Sequence, residues 1–308
     1  MKRILSIMAI LSASIYSMAQ TCDWGIISLC CAHLRAESRH GSEMVTQAIM
    51  GTPVKVLATE NEWYQVETPE GYRAWVHPQS ITLHNDSAMQ SWRSAQRYIY
   101  NNMSGYIYQS PHADAMPVSD MVLGCIVEGK AVSNNGYIEV YTPDGRQGYV
   151  RANEVSSLNS WAQQLPDLSR LEHEARMMMG TTYLWGGMSV KGADCSGYSK
   201  LLYFSQGIIL LRDASQQATA GEVVDFSSID NLQRGDLLFF GNDEGRINHV
   251  AIYLNDGRYI HSSGYVKINS LIEGDALYNE QPILATRRIL TAVDSEGIVL
   301  VKSHPWYF

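Results

Sequence analysis

The stretch YLWGGMSVKGADCSGYSKLLYFSQG, residues 183–207, decides the reading of this chain. Gly186, Gly187 and Gly192 make a loop, and Asp194 suits the N-cap of the helix that follows. Tyr198, Leu201, Leu202 and Ser205 recur on one face of that predicted helix, and Gly207 marks its end. Cys195 therefore opens the first turn. Unpaired backbone N–H groups and the positive end of the helix dipole favour a thiolate there, and the same N–H groups can hold an oxyanion. The bland alternative is a small apolar residue that happens to start a helix.

A thiolate needs a proton partner. Downstream, INHVAIYLNDGRYIHSSG (247–264) reads as strand, turn, strand. A three-residue loop of Asn255, Asp256 and Gly257, with Gly257 left-handed, sets Leu254 opposite Arg258. His249 then opposes Ser263 and His261 opposes Ala251, so the two histidines are diagonal neighbours on one face. That geometry suits a base, His249, whose ring is oriented by a second ring, His261. Lone strand histidines are mostly structural; a pair downstream of a helix-starting cysteine is less so.

Before residue 160 the chain repeats itself. VTQAIMG (45–51) matches VSDMVLG (118–124), and YQVETPEGYRAWVHPQSI (64–81) matches IEVYTPDGRQGYVRANEV (138–155). Alternating apolar and polar residues between Pro-Glu-Gly and Pro-Asp-Gly turns predict two small twisted barrels. SSLNSWAQQLPD (156–167) reads as a linker, and Leu168, Leu171, Ala175 and Met178 then predict a helix running to Gly180.

The 308 residues are 45% hydrophobic and 18% charged, enough apolar content for two to three folded domains. A net charge of −8 argues against nucleic acid as a partner. Eighteen tyrosines against five phenylalanines suit wet clefts as well as cores. MKRILSIMAILSASIYSMAQ reads as an export signal: Lys2 and Arg3, an apolar run too short to span a membrane, then Ser17-Met18-Ala19 for cleavage. The exported chain is expected in the periplasm or cell envelope, with no stable membrane insertion, as a monomer. Export permits disulfides, so Cys22 is open to pairing with Cys30 or Cys31, while Cys125 in VLGCIV reads as a buried structural thiol.

Residues 160–308 resemble the NlpC-type family of bacterial cell-wall cysteine peptidases, circularly permuted relatives of papain. The resemblance rests on YLWGG, ADCSG, LQRGDLLFF (232–240) and the pair NHVAIYL and YIHSS. Arg234 departs from it, at a position where proline usually precedes Gly-Asp. The earlier repeats resemble bacterial SH3-like domains. Together they imply an α+β chain: a signal at 1–19, SH3-like domains at 20–84 and 85–158, and a papain-like peptidase domain at 159–308.

The family implies Cys195 as nucleophile, His249 as base and His261 as orienting residue, with Asp194 and Ser196 flanking the nucleophile. Two SH3-like domains ahead of the peptidase resemble the dipeptidyl-peptidase VI group. That implies cleavage between γ-D-glutamate and the L-diamino acid in murein peptides with a free N-terminal L-alanine. RDASQQA (212–218) resembles a segment of that group, which implies Asp213 on the substrate ammonium and Ser215 or its neighbours on the carboxylate side, with Tyr183 and Trp185 lining the groove. The resemblance also implies that the first SH3-like domain closes the amine end, and by position Glu43 and Tyr72 are the candidates for that role. No metal or organic cofactor is implied. The rival readings are an amidase or acyltransferase of the same fold acting on another wall bond, a non-catalytic wall-binding adaptor, and a Cys/His zinc site.

Overall fold

The computed structural model describes residues 22–132, 135–242 and 244–308; the export-signal reading falls outside these residues. The first unit has seven strands: β1 (Trp24–Ile27), β2 (Cys31–Arg35), β3 (Met44–Ile49), β4 (Pro53–Glu60), β5 (Trp63–Glu67), β6 (Arg73–Val76) and β7 (Ile81–His84). They form one antiparallel sheet in the order β3-β2-β6-β5-β4-β1-β7. Period-two alternation sends Leu34, Val54, Val66 and Val76 into a small core of their own.

Helix α1 (Asp86–Ser94), capped by the Asn85 side chain on the Ala88 N–H at 2.8 Å, leads to the second unit. Its strands are β8 (Arg97–Tyr100), β9 (Ser104–Tyr108), β10 (Pro117–Val122), β11 (Ile126–Val132), β12 (Tyr137–Tyr141), β13 (Gln147–Arg151) and β14 (Val155–Ser157). Their order, β10-β9-β13-β12-β11-β8-β14, is that of the first sheet advanced by seven strands. The repeat extends to its turns. Gly71 and Gly145 have φ of +81° and +83°, and the Thr68 and Thr142 N–H groups reach the carbonyls of Tyr72 and Arg146 at 2.9 and 3.0 Å.

The remaining body contains α2 (Leu158–Ala162), α3 (Leu168–Met177), β15 (Met188–Ser189), β16 (Gly192–Ala193), α4 (Cys195–Ser205), β17 (Ile208–Leu210), α5 (Ala214–Gln217) and β18 (Glu222–Val223). After these come β19 (Leu237–Gly241), β20 (Ile247–Asn255), β21 (Arg258–Ser263), β22 (Tyr265–Ser270), β23 (Ile283–Arg288) and β24 (Ile298–Leu300). Six of these strands form an antiparallel sheet, β18-β23-β19-β20-β21-β22, against which α4 packs.

The apolar stripe predicted for α4 understates its burial, because every residue of the helix is buried. Its second face is covered by the first unit and by the end of the chain. Lys200 makes a buried ion pair with Glu70 at 3.3 Å, and Phe204 packs near Trp161 and Tyr307. The segment after β24 returns to the first sheet, where His304 Nε2 lies 3.0 Å from the Pro69 carbonyl and Trp306 meets the Trp24 ring edge-on.

Two expectations need correction. The loop between β20 and β21 has two residues, not three: Asp256 and Gly257, with φ of +51° and +71°, join Asn255 to Arg258. A two-residue turn with both residues left-handed matches the strand twist, and a bulge between Tyr253 and Asn255 takes up the extra residue. Beyond the bulge, Ile252 faces Ile260, the register expected from the longer loop. Nor is either candidate disulfide partner of Cys22, Cys30 or Cys31, cross-linked. Cys30 and Cys31 are free thiols with sulfurs 3.9 Å apart, and Cys125 is free and fully buried.

Candidate active site

The site begins with the Asp194 carboxylate. It caps α4 by accepting from the Gly197 N–H at 2.7 Å and ties down the glycine loop by accepting from the Gly186 N–H at 2.9 Å. Gly197 must lack a side chain, since a Cβ there would lie 2.0 Å from the Gly187 carbonyl oxygen. Asp194 is also held by Arg212, whose buried guanidinium donates to both carboxylate oxygens at 3.2 and 2.6 Å, to Ser196 Oγ at 2.9 Å and to Thr46 Oγ1 at 2.7 Å. Thr46 belongs to β3, so one guanidinium joins the first unit to the start of α4.

Cys195 occupies the first position of α4 and is 7% exposed. Its sulfur accepts from the backbone N–H groups of Ser196 and Val250, the second being the neighbour of His249. Burial, reinforced by the Asp194 charge, nevertheless pushes the thiol up to about 11. The helix start supplies the expected donor but not a resting thiolate, because desolvation outweighs it.

The histidines meet as expected. His249 Nε2 lies 2.6 Å from His261 Nδ1, with the rings edge to face. His261 Nε2 lies 2.9 Å from Asn269 Oδ1, and Asn269 Nδ2 donates to the Leu277 carbonyl at 2.8 Å. Burial, then the His261 and Lys267 charges, lower His249 to about 3. Burial and Lys267, against the Asn269 hydrogen bond, lower His261 to about 4. Both rings are neutral at neutral pH.

In front of Cys195 lies a cleft of about 400 Å³. Glu43, Tyr72, Tyr183, Trp185, Asp194, Ser196, Asp213 and Ser215 all line it with Cys195, so the structure gathers the substrate-side candidates in one cleft, from both the first unit and the peptidase body; His249 and His261 are not among its lining residues. Trp185 donates its indole N–H to Glu43 Oε1 at 2.6 Å. Asp213 is half-buried and raised above the usual carboxylate range, by burial first and by Asp194 and Glu70 after it, with Arg212 opposing. Burial and Asp213 raise the Tyr72 phenol, while burial, Cys195 and Asp194 push Tyr183 up to about 12. Asp194 and Ser196 line the cleft with their side chains already engaged by Arg212.

Arg212, Thr46 and Asn269 escaped the sequence reading. Arg212 had one signal, its place beside Asp213. Asn269 shares an alternate-residue face with Lys267, which pairs with His261 across β21 and β22. Among the described residues, no group of three or more His, Cys, Asp or Glu side chains could hold a metal ion.

A γ-D-glutamyl-L-lysine dipeptidyl-peptidase of Bacillus cereus is 30% identical over 234 residues, which cover 72% of this chain and 68% of that protein. The chain belongs to the NlpC/P60 family. The family pattern matches residues 180–284, and the bacterial SH3 domain pattern matches residues 32–82. This NlpC/P60 cysteine peptidase is also 29% identical to dipeptidyl-peptidase 6 of Lysinibacillus sphaericus over 279 residues, 86% of this chain and 96% of that one. The crystal structure of an NlpC/P60 family protein from Bacillus cereus shares its fold, with a TM-score of 0.71 at 23% identity, covering 87% of this peptidase and 99% of that chain.

Proposed function

We propose that this peptidase hydrolyses the γ-D-glutamyl–L-diamino acid bond of murein peptides that carry a free N-terminal L-alanine, and that it does so in the cell envelope. The observation that carries the reading is the convergence of Glu43 and Tyr72, from the first unit, with Asp213 on the cleft that holds Cys195. A half-buried carboxylate whose proton affinity is raised by its surroundings is a receptor for a cation, because an ammonium restores what desolvation removed. Asp213 and Glu43 take the α-ammonium, Tyr72 lies against it, and the wall formed by Trp185 and Glu43 blocks a chain that continues beyond the alanine. The names of the two dipeptidyl-peptidase relatives point the same way.

In this reading Cys195 attacks the isopeptide carbonyl while His249 takes its proton and His261 holds His249 in place. The N–H groups at the start of α4 face the developing oxyanion, and Tyr183 borders it. His249 returns the proton to the leaving amine. Water then attacks the thioester, releasing L-alanyl-D-glutamate and regenerating the thiol. Ser196 and Ser215 border the glutamate carboxylate.

The test is mass spectrometry of products from L-Ala-γ-D-Glu-diamino acid peptides with free and acetylated N-termini. A site that leaves buried polar groups unpaired rejects the blocked peptide strongly, by about a hundredfold or more. Equal rates would remove the amine clamp and leave another wall bond as the target.

A further inference from the structure

We infer that Asn269 is a positioning residue that fixes the tautomers of both His261 and His249, an inference that rests on the roles given to Cys195 and His249 above. The proton inventory leaves one arrangement. An asparagine amide has one acceptor and one donor end, and the donor end is spent on the Leu277 carbonyl at 2.8 Å. Oδ1 therefore faces His261 Nε2 at 2.9 Å, and that nitrogen carries the hydrogen. His261 Nδ1 is then bare and accepts across 2.6 Å, so His249 Nε2 carries the second hydrogen. Only His249 Nδ1 is left with a lone pair, which is what removal of a proton from the Cys195 thiol requires.

The opposite arrangement fails on the same distances. Were His261 protonated at Nδ1, its bare Nε2 would confront the bare Asn269 oxygen at hydrogen-bond distance, and His249 would carry its hydrogen at Nδ1, leaving no lone pair for a base. Asn269 excludes that state without adding a charge. The charged and titratable neighbours of the pair are Lys267, opposite His261 in the strand register, and Tyr259, whose ring lies 5.1 Å from that of His261. Among the described residues no carboxylate bonds to either ring, so the relay orients the base without raising its proton affinity.

The test uses the full chain and the free-amine tripeptide. Asn269→Leu removes the acceptor; kcat is expected to fall about ten- to a hundredfold, the range set by one unmet buried donor, with KM unchanged. Nitrogen NMR of the imidazoles is expected to change from one tautomer per ring to a mixture. Asn269→Asp keeps an acceptor in place and adds a charge, so kcat recovers to within a few-fold and the acid limb of the pH profile moves to higher pH. Asn269→Leu with unchanged kcat and unchanged imidazole spectra, in an enzyme that Cys195→Ala inactivates, overturns the inference alone. If Asn269→Leu does not fold, Asn269→Asp decides, and an unmoved acid limb overturns it. An active Cys195→Ala enzyme would instead bring down the catalytic reading beneath it.

Discussion

Trp185 and Glu43, 142 positions apart, are joined by a 2.6 Å hydrogen bond from indole N–H to carboxylate, and with it the first SH3-like unit becomes one wall of the peptidase cleft. The wall is exposed on both sides of that bond, since Trp185 is 60% exposed and Glu43 also faces solvent. Its effect should therefore appear in substrate selection rather than in folding.

Glu43→Gln keeps the shape of the wall and removes one charge from the ammonium site. Hydrogen bonds to charged groups contribute about 1.5–3 kcal/mol, so kcat/KM for the free-amine tripeptide is expected to fall at least tenfold. The acetylated peptide, which has no ammonium to lose, keeps its rate. Steady-state kinetics on the two peptides reads the difference, and an equal fall for both counts against an amine clamp.

Arg212→Met should act on stability. The change leaves the Asp194 carboxylate buried without its cation and deprives Thr46 of its partner. Breaking a buried pair on one side typically costs about 3–5 kcal/mol. Urea unfolding should show the variant losing stability on that scale, and a loss below about 1 kcal/mol would mean that backbone N–H groups alone satisfy Asp194.

Gly186→Ala separates contact from backbone strain. Gly186 has φ +75°, and a Cβ there would lie 2.4 Å from the Met44 carbonyl oxygen of the first unit. Gly180 has a similar φ of +82° with nothing within 4 Å of the added atom. Gly180→Ala is expected to cost about 1–2 kcal/mol from the left-handed backbone alone. Gly186→Ala pays that and the clash, so its melting temperature should be clearly lower; equal melting temperatures would show that the two units part without loss.

The pH dependence follows from the two neutral imidazoles. With His249 at about 3 and His261 at about 4, the active form persists as pH falls through 6.5, and the acid limb of kcat/KM lies near pH 4. Lys267→Met removes a positive charge that disfavours both imidazolium forms, so the limb moves to higher pH. Stability runs in the same sense. Above the ordinary histidine range both folded and unfolded chains carry neutral rings, and below it the unfolded chain binds protons that the native one refuses. Stability therefore declines as pH falls from about 6.5 toward 3. An acid limb at 6.5 would mean that the rings are far better solvated than their packing implies.

What the sequence determined by itself was local. Asp194 beside Cys195 specifies a capped helix start, because N-cap chemistry needs only neighbouring residues. The 73-residue offset between Val45 and Val118 announces two copies of one sheet, because alternation and turn glycines are written within each copy. The His249–His261 contact was legible because strand register carries through a short hairpin, even though the turn is one residue tighter than expected and a bulge makes up the difference. Tertiary structure alone decided what crosses between units. Nothing near Arg212 in the chain says that Thr46 and Asp194 will share its guanidinium, and nothing near Asn269 says that Leu277 will orient its amide. The thiol was misjudged for the same reason: the Ser196 donor is local and legible, but burial outweighs it, and α4 is packed against β20, more than fifty residues downstream. Propensity, capping and register act over a few residues, whereas desolvation and side-chain pairing depend on which distant surfaces meet.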